Sequence, residues 1–441
     1  MIGAHIGPFS TSGGIAQAGL DFNFSASLYQ KIDTDGTNMV RTSTLSDLIT
    51  VSRASKKTNA GGWDFISGSA VGALTEVNNN EAARDSVKGL LVEDSSTNGV
   101  KNPRLEGAVA GTPGTPPTNT TVSAQGTTTS IIGSGTEDGW PYVDIRWNGT
   151  PTNDPAFLMG YSTDVAASAG ESWTASVGVK VVGGDMTNIT RIRLRITELT
   201  SAPGFNKETY ADFTLSSGNQ RVIHSITAAS GTAYLRPDVS IDWDGSGDID
   251  VTLRIYAPQL EEKEFPTSPI FPPAGTPGAA TRSADFASVP AGAWAIDDAP
   301  CSLYILAYMI NGNKAGSFGR VVSFGQNSSN EAGLIFNTTN DVRWSVRVGG
   351  TVQAVQGVTN TMAAGTELRT AIGLEANNIA ISSNGVTQAV DTSGTINFGD
   401  SVLSINASPD AANRATGCWI ETIQLFPERL TNAQLEALVG N

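Results

Sequence analysis

The stretch Arg254–Asp285, RIYAPQLEEKEFPTSPIFPPAGTPGAATRSAD, limits what this chain can fold into more than any other. It opens as the end of an alternating strand, with Val251, Leu253 and Ile255 on one face and Thr252, Arg254 and Tyr256 on the other. Pro258 then has no N–H to donate to a ladder. Pro266, Pro269, Pro272, Pro273 and Pro277 follow, so the segment is neither a helix nor a central strand. A proline-rich run of this kind is stiff and extended, and it is expected to hold two domains apart. Asn102–Pro117 (NPRLEGAVAGTPGTPP) reads as a second linker by composition.

On either side the grammar is that of strands. Forty-eight glycines and only 16% charged residues favour a turn-rich, all-β chain, and 39% hydrophobic residues in alternating runs argue against disorder. Trp173, Ala175, Val177, Val179 and Val181 alternate with Thr174, Ser176, Gly178 and Lys180. The run TRIRLRIT sets Ile192, Leu194 and Ile196 inward and Arg191, Arg193 and Arg195 outward. Such strands at hairpin spacing predict tandem antiparallel β-sandwiches, each sheet with one solvated face. In the C-terminal part, Leu303–Ile310 is apolar on both faces and predicts a central strand. Val342, Trp344, Val346 and Val348 share a face, which makes Trp344 a core residue. Asn384-Gly385 predicts a tight hairpin. Thr431 to Gln434 form a capping box for a closing helix seated by Leu430, Leu435 and Leu438.

Several functions are excluded early. A net charge of −15 opposes a nucleic-acid surface, which needs clustered Lys and Arg. No run of 18 apolar residues predicts a membrane span. The start MIGAHIGPFS has no basic stretch leading into an apolar one, so no secretion signal is expected. His5 and His224 are the two histidines, too few for a histidine triad or a zinc site; His224 lies in the strand RVIHSIT and reads as structural. No Gly-rich phosphate loop follows a strand.

Three runs carry a resemblance. QLEEKEFPTSPIFPPAG…ATRSAD resembles the junction in many tailed-bacteriophage virion proteins between a carbohydrate-binding-module-like jelly roll and a concanavalin/laminin-G-like sandwich. Leu48–Ser55 (LITVSRAS) with Gly89–Asn98 (GLLVEDSSTN) is similar to their TRAS…GLLxExxTN run, and PERLTNAQLEAL to their C-terminal end. The resemblance implies a non-enzymatic fibre, spike or tail protein of a phage or phage-like particle, made in the host cytoplasm and carried on the virion surface. It implies four parts: an N-terminal arm and small β region over 1–102, a carbohydrate-binding-module-like sandwich over 103–265, a Pro-rich linker over 266–284, and a concanavalin-like sandwich over 285–441. Within the first part, Met1–Gly19 reads as a flexible arm. The N-terminal part is expected to dock on other virion proteins and to assemble as a trimer, or else a pentamer, while the sandwiches meet a host cell-surface glycan. Two other functions stay open, a purely structural capsid or tail decoration and a polysaccharide depolymerase; the missing long β-helix repeat speaks against the latter. If the first and last strands of the C-terminal sandwich pair antiparallel, Cys301 and Cys418 stand roughly 25–30 Å apart at ~3.3 Å per residue. A disulfide needs about 7 Å, so both are expected as buried free thiols.

Candidate site residues fall into four groups. Glu261, Glu262 and Glu264 contain enough carboxylate for an acid–base pair, but they sit consecutively in what the resemblance treats as a connector. Asp242, Asp244, Asp248 and Asp250, in IDWDGSGDID, gather oxygens suited to Ca²⁺, or else form an ordinary acidic turn. Trp140, Tyr142 and Trp147, with Trp243, offer rings on which a sugar stacks, or else cover a core edge. Arg191, Arg193 and Arg195, with Arg254, Tyr256 and Arg236, form an outward row that matches the anions of a charged glycan, or else pairs with neighbouring acids.

Overall fold

The computed structural model describes residues 89–440 except 161–162, 215–219, 290–298, 310–318, 337–341, 360–366, 384–385, 388–389, 400–401 and 411–416. Ahead of residue 89 it describes the backbone of seven short strands, and of residues 309, 336, 356–359 and 386–387 the backbone alone. The arm Met1–Gly19, His5 and the Asn384-Gly385 hairpin lie outside the described residues. Two units emerge: one of Ser55–Asn78 with Ser95–Ser283, the other of Met1–Ala54, Asn79–Asp94 and Ala284–Asn441.

The Ser95–Ser283 unit is an antiparallel sandwich. Its five-stranded sheet runs Thr128–Glu137, Trp140–Gly149, Ile249–Glu261, Ser172–Gly184, Gln220–Thr227. Its six-stranded sheet places Ile189–Leu199 between Phe205–Phe213 and Tyr234–Trp243, with three shorter strands beyond. The alternating residues meet between the sheets: Val177, Val179, Ile192, Leu194, Ile196, Val251, Leu253 and Ile255 are all fully buried. Each such side chain contributes about 1.5–3 kcal/mol by leaving water. Trp147 lies in the same core, its indole N–H donating to the Ser123 carbonyl at 3.2 Å.

Both expected linkers are corrected here, because each is folded into this unit. Asn102, Pro103 and Leu105 are buried, and Asn102 Nδ2 ties down the carbonyls of Glu106 (2.9 Å) and Thr118 (2.8 Å). The proline run turns back over the outer face of the five-stranded sheet, where Pro266, Thr267, Ser268, Pro269 and Ile270 are buried. Proline removes an N–H donor from a ladder yet leaves side chains and carbonyls free to pack. Asn98 shows how: its Nδ2 donates to the carbonyls of Pro258 (3.1 Å) and Ile270 (3.2 Å), and its Oδ1 accepts from Val100 N (3.0 Å) and Leu260 N (3.1 Å). Ser96–Asn98 then pairs antiparallel with Ala280–Arg282. Glu261 sits fully buried at the head of the return. It accepts from Ser96 Oγ (2.5 Å), Thr267 N (2.9 Å), Thr267 Oγ1 (2.6 Å) and Gln259 Nε2.

The expected N-terminal module over 1–102 is likewise redistributed. Within the other unit, Cys301–Met309 is central, flanked by Glu367–Leu374 and Cys418–Phe426. The far edge of Cys418–Phe426 is shared by two early strands, Leu20–Asn23 opposite its second half and Gly89–Val92 opposite its first. Leu28–Ile32 and Met39–Thr42 extend that sheet outward. Gly89 has φ +89°, and a Cβ there would lie 2.2 Å from the Ile420 carbonyl oxygen. A strand edge needs a partner for its N–H and C=O groups, and the last strand supplies it. The seven-stranded sheet opposite takes Thr50–Ser52 onto Phe286–Val289 at its edge. Trp344 is fully buried between the sheets and donates to Thr370 Oγ1 at 3.0 Å. Cys301 and Cys418 are buried and free, at opposite ends of the central ladder, and burial pushes the Cys301 thiol up to about 12. Helix Asn432–Val439 starts with the Thr431–Gln434 capping box and seats Leu435 and Leu438 beside Leu430 and Phe426.

Two outcomes are expected from this architecture. Glu261→Ala strands several buried donors and should lower stability by about 3–5 kcal/mol in denaturant unfolding, with new protease cleavage over 262–283. A variant as stable and as resistant as the parent would remove the carboxylate from its structural role. Thr431→Ala should cost about 1 kcal/mol, the usual worth of a helix cap.

Candidate functional site

The sequence-predicted arginines and aromatics divide between two opposite outer faces. Trp140, Tyr142, Arg254 and Tyr256 lie on the five-stranded sheet, where cross-strand rows read Gly135–Tyr142–Tyr256–Gly178 and Gly133–Asp144–Arg254–Lys180. The Tyr256 ring occupies the space over Gly178, where a Cβ would come within 1.8 Å of Tyr256 Cε2. Trp140 meets Tyr256 edge-on at 5.5 Å, and both are only 2% exposed. Burial raises the Tyr256 phenol well above its usual range, and its hydroxyl donates to the Gln220 carbonyl at 3.1 Å. Tyr142 lies under the Arg254 guanidinium, 3.6 Å from its ring centroid. Arg254 is itself forked onto Asp144 (2.8 and 2.8 Å) and reaches Glu137 at 2.9 Å. These rings are used up in covering the sheet. They are not an open sugar platform.

Arg191, Arg193, Arg195 and Arg236 do share a face, on the six-stranded sheet. Ile189–Leu199 fixes the first three at every second position, and Tyr234–Trp243 brings Asp242, Asp238 and Arg236 alongside. Phe205–Phe213 adds Glu208, Tyr210 and Asp212 from the other side. Asp242 is shared by Arg191 (2.5 Å) and Arg193 (2.6 Å), and Asp212 by the same pair (2.7 and 3.3 Å). Asp154 approaches Arg193 at 3.4 Å. Arg195 meets Asp238 at 3.0 Å and Glu208 at 3.4 Å, while Arg236 forks onto Asp164 at 2.7 Å. Tyr210 stands 46% exposed with the Arg193 guanidinium 4.4 Å from its ring centroid. Beneath this layer Ser240, opposite Arg193 in the ladder, is fully buried and its hydroxyl has no hydrogen-bond partner.

The other candidates are dispersed. Asp242 faces the arginines, Asp250 is forked onto Arg146 on the other sheet (2.7 and 2.7 Å), Asp248 accepts from the Thr150 hydroxyl, and Asp244 accepts from Ser246 N at 2.8 Å. The expected Ca²⁺ loop is thus a turn whose carboxylates diverge, and among the described residues no three His, Cys, Asp or Glu side chains are placed to hold a metal ion. Trp243 closes the same turn by donating to the carbonyls of Ser246 and Gly247. Glu261 is sequestered as described above, while Glu262 and Glu264 are exposed. His224 is half-buried, its Nε2 3.0 Å from Thr209 Oγ1, and desolvation lowers its pKa. Tyr210 and its acidic neighbours are the residues that sequence reading missed. FNKETYADF carries the signal, since Glu208, Tyr210 and Asp212 alternate onto one face.

No family model matches the sequence, and no curated protein does. Among solved structures the chain is similar to the Ruminococcus gnavus IT-sialidase CBM40 bound to alpha2,3 sialyllactose, at 16% identity over 34% of this chain and 88% of that one, with a TM-score of 0.29. It is similar to a native heptameric SAP-like pentraxin from Limulus polyphemus at 14% identity over 35% of this chain and 72% of that one, with a TM-score of 0.27. The NanB sialidase from Streptococcus pneumoniae aligns at 12% identity over 32% of this chain and 24% of that one, also with a TM-score of 0.27. These likenesses are low and partial. What either face can bind follows from its own geometry.

Asp238 supplies a pH test of that geometry. Burial pushes its carboxyl from 3.8 up to about 6, against the pull of Arg195 and with Glu208 adding to the rise. Between those values the folded chain holds a proton that the unfolded chain has released. The stability this site contributes therefore falls as pH rises from about 4 to about 6, by at most on the order of 2–3 kcal/mol. Asp238→Asn lacks that slope, so its melting temperature is expected to gain on the parent's across this interval. A difference that shrinks with rising pH would show Arg195 outweighing burial.

Proposed function

We propose that the chain is a non-enzymatic structural protein of a phage or phage-like particle, a fibre or spike whose Ser95–Ser283 sandwich binds a host-surface glycan. The observation that carries the binding part is the outer face of the six-stranded sheet, where paired arginines and carboxylates adjoin the half-exposed Tyr210 ring. Solvated ion pairs of this kind add little to stability. They do hold planar donors and acceptors in fixed positions, and sugar hydroxyls are both donors and acceptors. A ring face beside them suits the C–H surface of a pyranose.

The particle context rests on the resemblance of the three sequence runs. It puts the protein on the virion surface after synthesis in the host cytoplasm, docked on other virion proteins through its N-terminal region. The assembly is a homotrimer in this reading, with a pentamer as the alternative. The absence of an enzymatic role is supported by Glu261, whose hydrogen bonds are spent on the fold. A second reading, capsid or tail decoration without ligand, is favoured by one observation: the arginines of the face already have carboxylate partners.

Particles carrying Tyr210→Ala plus Arg193→Ala are expected to adsorb to host cells at least about tenfold more weakly, given the worth of a ring contact and a charged hydrogen bond. Normal adsorption by a folded variant would favour decoration. Light scattering of the purified chain is expected to give a trimer; a monodisperse monomer would remove the oligomer from the proposal.

A further inference from the structure

The arginine row by itself points to an anionic ligand, and the geometry points elsewhere. We infer that the six-stranded face takes an uncharged stretch of polysaccharide, an inference that rests on the glycan-binding reading above. The four arginines of this face, Arg191, Arg193, Arg195 and Arg236, are met by Asp154, Asp164, Glu208, Asp212, Asp238 and Asp242. Carboxylates outnumber guanidinium groups, so the face as a whole repels an approaching anion.

Competition for the arginines runs the same way. An anionic sugar would have to replace a carboxylate already held at 2.5–3.4 Å. Two of the held groups have nowhere to go, the Asp238 side chain being 1% exposed and that of Asp242 14%. Leaving either charge buried without its partner costs several kcal/mol, more than one new ion pair returns in water. A hydroxyl meets no such barrier. It can donate to a free lone pair of Asp212 or Glu208 and accept from a guanidinium N–H while every existing pair stays intact.

Two further features fit an uncharged ligand. Arg193 packs on the Tyr210 ring at 4.4 Å and holds it in place, yet the side chain remains 46% exposed. That leaves apolar ring surface on the edge strand, beside the ion lattice, where a charged group gains nothing and sugar C–H groups do. The buried, unpartnered Ser240 hydroxyl lies on the same sheet, opposite Arg193 in the ladder. The opposite outer face offers no equivalent, since its rings lie under Arg254 or against one another.

The test is affinity electrophoresis of the full chain through gels carrying neutral polymers (dextran, mannan, galactan) or acidic ones (polysialic acid, polygalacturonate, hyaluronate), at low and high salt. Retardation is expected on at least one neutral polymer, changing less than about twofold with salt because no charge is neutralised on binding. Tyr210→Ala, checked for native circular dichroism, is expected to abolish most of it. Retardation confined to acidic polymers and weakened by salt would overturn the ligand class while leaving glycan binding intact. Unchanged retardation of Tyr210→Ala would move the site off this face. No retardation on either kind of polymer would overturn the inference and the glycan reading together.

Discussion

Asn98 and Glu261 are where the structure is tied together. A buried side-chain amide has four hydrogen-bonding positions, and Asn98 fills all of them with backbone groups from Val100, Pro258, Leu260 and Ile270. Beside it a buried carboxylate collects Ser96, Gln259 and Thr267. Buried polar groups are costly unless satisfied, and these two are satisfied only when the long strand Ile249–Glu261 and the proline run after it are both in place. The knot thus makes the end of a strand and the return of the chain one cooperative event. It also gives physical sense to the run GLLVEDSSTN, whose last residue is Asn98, and to ATRSAD, whose Ala280–Arg282 pairs with Ser96–Asn98.

The two outer faces of the Ser95–Ser283 sandwich show how similar ingredients reach different ends. Both carry arginine, carboxylate and tyrosine at alternate positions of adjacent strands. On the five-stranded sheet, glycines opposite the tyrosines let the rings lie down, and Arg254 closes over Tyr142. On the six-stranded sheet the position opposite Tyr210 is Arg195, whose side chain is engaged with Asp238, and although Arg193 packs on the ring, Tyr210 stays 46% exposed. The difference lies in which residue stands across the ladder, glycine or arginine. It decides whether a ring is cover or contact.

Much of the core was legible because alternation is a local property. Ile192, Leu194 and Ile196 point inward for the same reason that Arg191, Arg193 and Arg195 do not, and Trp344 and the Thr431 cap follow similarly short-range rules. What stayed hidden was set by partners far along the chain. Proline content told that 266–277 could not be a ladder strand, but not that Asn98 would bind the Ile270 carbonyl from the other end of the unit. The arginine row was visible, while the Asp154, Asp212 and Asp238 that neutralise it come from three other places in the sequence. The acidic turn misled for the converse reason. Its aspartates are close in sequence, yet Asp242 and Asp250 belong to strands of different sheets, whose outer faces point apart.

The sharing of Cys418–Phe426 by Leu20–Asn23 and Gly89–Val92 has a consequence for how the chain comes into being. On a ribosome the first strands emerge long before the one that completes their sheet, and closing so large a loop is entropically slow. The Ser95–Ser283 sandwich draws most of its strands from one continuous stretch and can form meanwhile. Until Cys418–Phe426 has been made, Leu20–Asn23 and Gly89–Val92 each keep an edge open, the condition under which β-rich chains find wrong partners. Assembly of this protein is a race between the arrival of its last strand and the pairing of its first ones with something else.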